Sequence, residues 1–141
     1  MTPKYPEPLG LLLLRAARGA ERAFDRQMPG GSSRWRILRT LVSGRVETQT
    51  ALADAVALRA ATLVHHLDAL EAEGLVSRVR NPENRRSQRV HLTDAGRARY
   101  DEMLATVLAY DEALRCAVGA EAEPALRAAL MRIAAAFDDA G

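Results

Sequence analysis

Six side chains able to carry positive charge fall between residues 78 and 91: Arg78, Arg80, Arg85, Arg86, Arg89 and His91. A guanidinium presents paired N–H donors at a fixed spacing that suits phosphate or carboxylate oxygens. Clustered, such groups are the electrostatic footprint of a polyanionic partner, although a solvated surface hairpin has the same composition. Of the chain's 20 basic residues 19 are Arg, so a biased base composition accounts for that choice as readily as a demand for guanidinium. The local pattern is more informative. "LVSRVR" and "QRVHLT" alternate apolar and polar residues at period two, as strands do. "NPEN" between them has turn chemistry, with φ fixed by Pro82 and turn geometry tolerated by Asn81 and Asn84. A hairpin is expected, with Arg85 and Arg86 near its tip.

Other residues offer weaker chemistry. His65 and His66 are adjacent, so on a helix they point about 100° apart and do not chelate as an i, i+4 pair does. His65 suits an outward, groove-reading role, and His66, on the flank towards the core, could face a ligand cavity. Trp35 with Arg15 and Arg18 could hold an aromatic carboxylate, the ring on Trp35 and the charge on an arginine. A core tryptophan and surface arginines are the plainer reading of the same residues. Cys116 is the single cysteine, which excludes an internal disulfide and a cysteine-rich metal cluster. It is either a packed or partly exposed helix residue or an oxidant sensor. No phosphate loop, nucleophile elbow or paired-carboxylate motif occurs, so neither an enzyme nor a cofactor or metal site is expected.

The elements that must position these residues are mostly helical. Leu9, Leu12, Leu13, Ala16, Ala20 and Phe24 recur at helical spacing between about Glu7 and Met28. "PGGSS" ends that helix and offers Ser32 or Ser33 as the next N-cap. A second helix, about Arg34 to Ser43, carries Trp35, Leu38 and Val42 on one face. Thr48 is placed to cap a short helix bearing Leu52, Ala53 and Val56. A tight turn at Ala57 and Leu58 leads into a longer helix, about Arg59 to Glu73, with Gly74 as its C-cap. On this helix Leu63, Leu67 and Leu70 define the buried side. Ala61, His65, Asp68 and Ala69 lie roughly opposite, with Thr62 and His66 on the flank. After the hairpin, Thr93 caps a long helix to about Val118, Gly119 breaks it, and Pro124 stands near the start of the last helix.

Composition agrees with a folded chain of 141 residues, 48% hydrophobic and 4% aromatic, in which Leu, Ala and Val do most of the packing. No run approaches the roughly 18 apolar residues of a membrane span, and "LGLLLLRAARGA" is too short and is broken by Arg15 and Arg18. A soluble cytoplasmic protein is expected. Net charge is only +2, yet residues 78–99 carry seven basic and two acidic side chains and residues 100–141 three and eight.

Helix, short turn, helix and arginine-tipped hairpin make a winged helix-turn-helix. "GLVSRVRNPENRRSQRVHLTDAG" resembles the wing signature of MarR-type transcriptional regulators, and "TQTALADAVALRAATLVHHLDALE" resembles their helix-turn-helix. The resemblance covers about residues 34–100; the flanking helices fit a dimerisation region by length and position only. It implies a homodimer that binds a pseudo-palindromic double-stranded DNA operator and is often released by a small aromatic or phenolic ligand. Two departures stand out. Asn84 occupies the place of an Asp before the double arginine, so Arg86 is held less firmly. Ala57 stands where the turn often has Gly, at a strain of about 1 kcal/mol if φ is positive.

The expected fold is therefore mostly α: a winged helix-turn-helix over residues 34–95 with a small β-hairpin wing, flanked by dimerisation helices over 1–33 and 96–141 in one intertwined domain. The DNA-binding residues expected are Arg59, Ala61, Thr62 and His65 on the recognition helix, and Arg80, Arg85 and Arg86 on the wing. Arg15, Arg18, Trp35 and His66 are the candidate ligand group. A winged-helix module that binds protein instead of DNA, and a metal- or oxidant-sensing regulator, are the alternatives.

Overall fold

Leu63, Leu67 and Leu70 recur on one side of a helix because 3.6 residues make a turn, and all three are buried. That helix is α4 in a computed structural model describing residues 4–28, 30–84 and 87–138. The order is α1 (Leu9–Gln27), α2 (Gly31–Val42), α3 (Gln49–Ala55), α4 (Ala60–Ala72), β1 (Val76–Val79), β2 (Arg89–Leu92), α5 (Asp94–Val118) and α6 (Glu123–Asp138). The fold is mostly α with one antiparallel hairpin, as expected. Residues 1–106 form one compact unit and residues 107–141 a second.

The first unit is built around Ile37 and Leu38 of α2, Leu52 of α3, the three leucines of α4 and Val90 of β2, all essentially without solvent exposure. Each contributes about 1.5–3 kcal/mol of burial free energy. Thr48 caps α3 as its sequence suggests, its hydroxyl accepting the Ala51 N–H at 3.2 Å. The α2 cap differs from expectation. Neither Ser32 nor Ser33 caps it; Gly30 does, at φ 85°, with Gly31 following at φ 78°. Two glycines let the chain turn so sharply that the Ser32 N–H meets Asp25 Oδ1 of α1 at 2.6 Å. A carboxylate from the preceding helix thus takes the place of a local hydroxyl.

In the hairpin, Val76 pairs with Leu92, Ser77 with His91, Arg78 with Val90 and Val79 with Arg89. The outer edge of β2 is covered too, the Val90 N–H donating to Glu47 O at 2.9 Å and the Gln49 N–H to Gln88 O at 2.8 Å. The pattern along β1 is not a simple apolar-inward alternation: Val79 is exposed, while only 8% of the Arg78 side chain is. Period two puts residues 76 and 78 on one face, and carboxylates of α4 satisfy the guanidinium there.

Thr93 caps α5. Its hydroxyl donates to Gly74 O at 2.6 Å and accepts the Gly96 N–H at 3.0 Å. The second unit holds the end of α5 and α6, with Pro124 in the first turn of α6. Within it Leu108, Leu114, Leu126, Leu130, Met131 and Phe137 are exposed; Leu9, Leu11, Leu12 and Leu14 of α1 are exposed in the first unit. Among the described residues no helix is long and apolar enough to cross a membrane.

Candidate nucleic-acid interface

Because α4 turns its leucines inward, Ala61, Thr62, His65, Asp68 and Ala69 are all exposed. Arg59, its N-cap, is extended at φ −66°, ψ 147° and exposed. The turn from α3 into α4 is tight: Val56 is buried, Ala57 takes φ 54°, and the Leu58 N–H closes on Ala53 O at 3.0 Å. The positive φ feared for Ala57 is thus present. The outward surface near the start of α4 is small and polar, which allows close approach to another surface.

The hairpin's cations divide into two kinds. Arg78 is committed inside the protein, with only 8% of its side chain exposed. Its Nη2 lies 2.5 Å from Asp68 Oδ1 and 3.2 Å from Glu71 Oε1, and its backbone N–H donates to Glu71 Oε2 at 3.1 Å. The hydrogen bond from Arg78 holds the Glu71 carboxyl below its ordinary range. The same bond raises the Arg78 guanidinium further. Arg80, by contrast, has 75% of its side chain exposed and only a 4.0 Å approach to Glu71. Arg89 is exposed and stands 3.5 Å from Glu47. Arg85 and Arg86, expected at the tip, lie outside the described residues. The turn beside them is ordered by Asn81, whose Oδ1 accepts the Glu83 N–H at 3.0 Å and whose Nδ2 donates to Ser87 Oγ at 3.0 Å.

The four residues expected to hold a ligand have different surroundings. Arg15 and Arg18 are exposed on α1, and Arg15 is paired with Glu7 at 2.7 Å. Trp35 is 9% exposed and stacks on Tyr100 of α5, ring centroids 4.7 Å apart and planes at 6°. His66 is half-buried. Its pKa is lowered by burial first and then by the positive charges of His65, Arg34 and Arg36. The two histidine rings meet edge-on, centroids 6.1 Å apart. Among the described residues no group of three or more His, Cys, Asp or Glu could hold a metal ion. Cys116 is exposed, its Sγ 3.7 Å from Glu112 Oε1. A cavity of about 310 Å³ does exist in the first unit, lined by Met28, Arg34, Arg99, Glu102, Met103 and Thr106. Sequence reasoning missed it. Its residues come from the α1–α2 turn and from α5, about 65 residues further on, and no local pattern links them.

Residues 32–88 match the MarR family. The uncharacterized HTH-type transcriptional regulator YdgJ of Bacillus subtilis (strain 168) is 37% identical over 93 residues, 58% of this chain. The match spans 57% of that relative's length, little more than half of it. Among solved structures, the transcriptional repressor CouR bound to a 23-mer DNA duplex is 30% identical with a TM-score of 0.77, over 90% of this chain and 92% of that one. BpsR of Bordetella bronchiseptica, whose DNA binding is regulated by 6-hydroxynicotinic acid, has a TM-score of 0.79 over 91% of this chain and 99% of that one. At 22% identity that second likeness concerns the fold. A helix-turn-helix whose second helix stands beside a cationic hairpin is a winged helix-turn-helix. Over residues 32–88, the helix-turn-helix and most of the hairpin, the chain resembles the MarR family.

Proposed function

We propose that the chain is a homodimeric, sequence-specific DNA-binding repressor, released from a pseudo-palindromic operator by a small aromatic or phenolic ligand. The observation that carries this is the exposed Ala61–Thr62–His65 face of α4 standing beside a hairpin that turns Arg80 to solvent. Small and polar side chains on α4 suit the major groove, where each good base contact contributes about 1–3 kcal/mol of discrimination. Arg59 and Arg80 suit phosphate, the source of most affinity. Arg85 and Arg86 join them by likeness to the family's wing. CouR, seen on DNA, supports the polyanion partner, and BpsR supports control by an aromatic acid. The protein acts by binding, without catalysis, and with DNA as its partner it works in the cytoplasm.

Dimerisation rests on α1, α5 and α6, within residues 1–33 and 96–141. Their exposed leucines, with Met131 and Phe137, are the apolar side chains a second copy would cover. The effector reading rests on the cavity beside Arg34 and Arg99. Its methionines offer an apolar wall, and Arg34 and Arg99, now paired with Glu73 and Glu102, offer guanidiniums that a ligand carboxylate would take from those partners. Trp35, next to Arg34 in sequence, is the fluorescent reporter, and Arg15, Arg18 and His66 remain the other candidate contacts.

Two measurements test the proposal. Duplexes from the DNA upstream of the chain's own coding sequence should be retarded on a gel by the parent protein. A protein-interaction module would leave them free. Titrating a panel of aromatic acids should change Trp35 fluorescence and release that DNA together. A ligand releases DNA only if it binds the two states unequally, so quenching without release removes the effector from the reading.

A further inference from the structure

The end of α4 carries charge of the sign that a helix end disfavours. Its last residues, "LEAE", hold Glu71 and Glu73 and no cation, although the carbonyl end of a helix repels carboxylates. Other elements supply the compensation. Arg78 of β1 pairs with Glu71. Glu73, the C-cap, is paired twice. Arg34 Nη2 of α2 donates to its Oε2, and Arg99 Nη1 of α5 stands 4.0 Å from its Oε1. Arg34 is the more committed, with 17% of its side chain exposed, and it lies so close over Gly30 that a Cβ there would overlap its Cδ. The chain just past Glu73 is pinned, because Thr93 bonds both the Gly74 and the Leu75 carbonyl oxygen. A change of charge at Glu73 is therefore felt in the last turn of α4 and is not absorbed by a loose loop.

Arg34 and Arg99 have a second role. They are also the cations of the cavity of about 310 Å³, beside Met28 and Met103. One pair of guanidiniums thus serves both an internal carboxylate and an open cavity. Resting on the DNA-binding and effector readings above, we infer that Glu73 is the internal rival of the effector's carboxylate, and the link through which that ligand reaches α4. A carboxylate entering the cavity takes the two guanidiniums from Glu73. The Glu73 charge is left at the carbonyl end of its own helix, with the ligand's charge close by. Both repulsions act on α4, whose outward face carries Thr62 and His65. Arg99 also has Glu102 at 3.5 Å, but that carboxylate stands on α5 itself, so its pairing carries nothing to α4. Glu73 is a positioning residue here, since it touches neither ligand nor DNA. Its ion pairs are partly solvated, which sets the coupling near the low end of the usual range, at about 5-fold.

Charge and shape are separated by comparing benzoate with benzamide. The full chain is titrated with each by calorimetry, and its affinity for its own upstream duplex is read by anisotropy with and without them. Benzoate should weaken the parent's duplex binding by about 5-fold, and by reciprocity should itself bind the complex about 5-fold less tightly than the free protein. Benzamide should leave duplex affinity unchanged. In Glu73→Gln the guanidiniums are uncontested. Benzoate should then bind about 5-fold tighter, the scale of one part-exposed ion pair, and duplex affinity should no longer respond to it. A merely structural defect in α4 does not tighten a ligand while abolishing its effect. Benzoate that binds Glu73→Gln no tighter, or that still releases its duplex, overturns the inference and leaves the effector reading standing. Release by benzamide equal to that by benzoate overturns it too, because charge is then not the lever. If benzoate binds neither protein, the effector reading of this cavity falls with the inference. If neither protein binds the duplex at low salt, the DNA-binding reading falls, and the inference with it.

Discussion

Gly96 is buried where the first turn of α5 meets the start of the hairpin. A Cβ there would collide with the Leu75 carbonyl oxygen and come within 2.6 Å of Leu92 Cδ1. The oxygen is backbone, already accepting the Thr93 N–H at 3.1 Å, so it cannot step aside cheaply. Gly96→Ala should therefore lower stability by about 3 kcal/mol, read as an earlier urea midpoint in circular dichroism. An unmoved midpoint would mean that α5 can shift away at no cost. Ala57 is the opposite case. It holds φ 54°, a left-handed conformation that costs a residue with a Cβ about 1–2 kcal/mol. Glycine relieves that strain but returns about 0.5–1 kcal/mol of chain entropy to the unfolded state. Ala57→Gly should gain about 0.5–1 kcal/mol, or roughly 1–4 °C in Tm by the usual scaling for a domain of this size. A lower Tm would contradict the strain argument. Ala57 carried a local signal, a non-glycine at a turn, and Thr93 one as a cap; the close approach at Gly96 had none, because Leu75 and Leu92 reach it only after folding. Arg78 was not legible. Its neighbours in sequence mark it as one more hairpin cation, and only the stacking of β1 on α4 shows its carboxylate partners.

Between elements, the Arg78 clamp joins β1 to α4 and makes their contact depend on pH. Glu71 has its pKa lowered in the folded state. Its stabilisation is therefore present above the ordinary carboxylate value of 4.5 and is lost as pH falls through the lower folded value. His66 also has a lowered pKa, chiefly through burial. Its neutral form is the one the fold accommodates. Stability is retained above the ordinary value of 6.5 and declines as pH falls from there towards the folded value. The two windows are distinct. His66→Gln should flatten the dependence of the urea midpoint on pH just below 6.5 and leave the more acidic loss in place. Glu71→Gln should do the reverse. If both variants track the parent at every pH, neither group is linked to folding. Helices, hairpin and caps were readable because each rests on local periodicity or turn chemistry. The α2 cap was misread because Asp25, a residue of the preceding helix, displaces the adjacent serines. The cavity was unreadable for the same reason, being made by segments that touch only after folding.

For the whole molecule, the proposal assigns distinct tasks to distinct stretches of chain. Residues 78–99 concentrate positive charge, and residues 100–141 carry eight acidic side chains against three basic ones. A basic stretch and an acidic one differ in their attraction to a polyanion. The acidic stretch also holds an apolar groove between the end of α5 and α6, about 280 Å³, walled by Leu114, Val118, Leu126, Leu130 and Met131. If a second copy covers such faces, two heads act on one duplex, with half-site centres about 10 base pairs apart or a multiple of that. Affinity and salt dependence then belong to the pair, because each head brings its own phosphate contacts. Leu130→Asp places a charge in that groove without touching α4 or the hairpin. Light scattering at micromolar concentration should give twice the chain mass for the parent and the single mass for the variant. The monomer keeps one head, so the slope of log K against log salt should fall to about half the parent's. Its preference for the upstream duplex over a random one should shrink as well, since each half-site then discriminates alone. A monomeric variant that binds the upstream duplex with the parent's affinity and slope would show that one head is sufficient, and the two-headed reading would fail while the α4 interface stood.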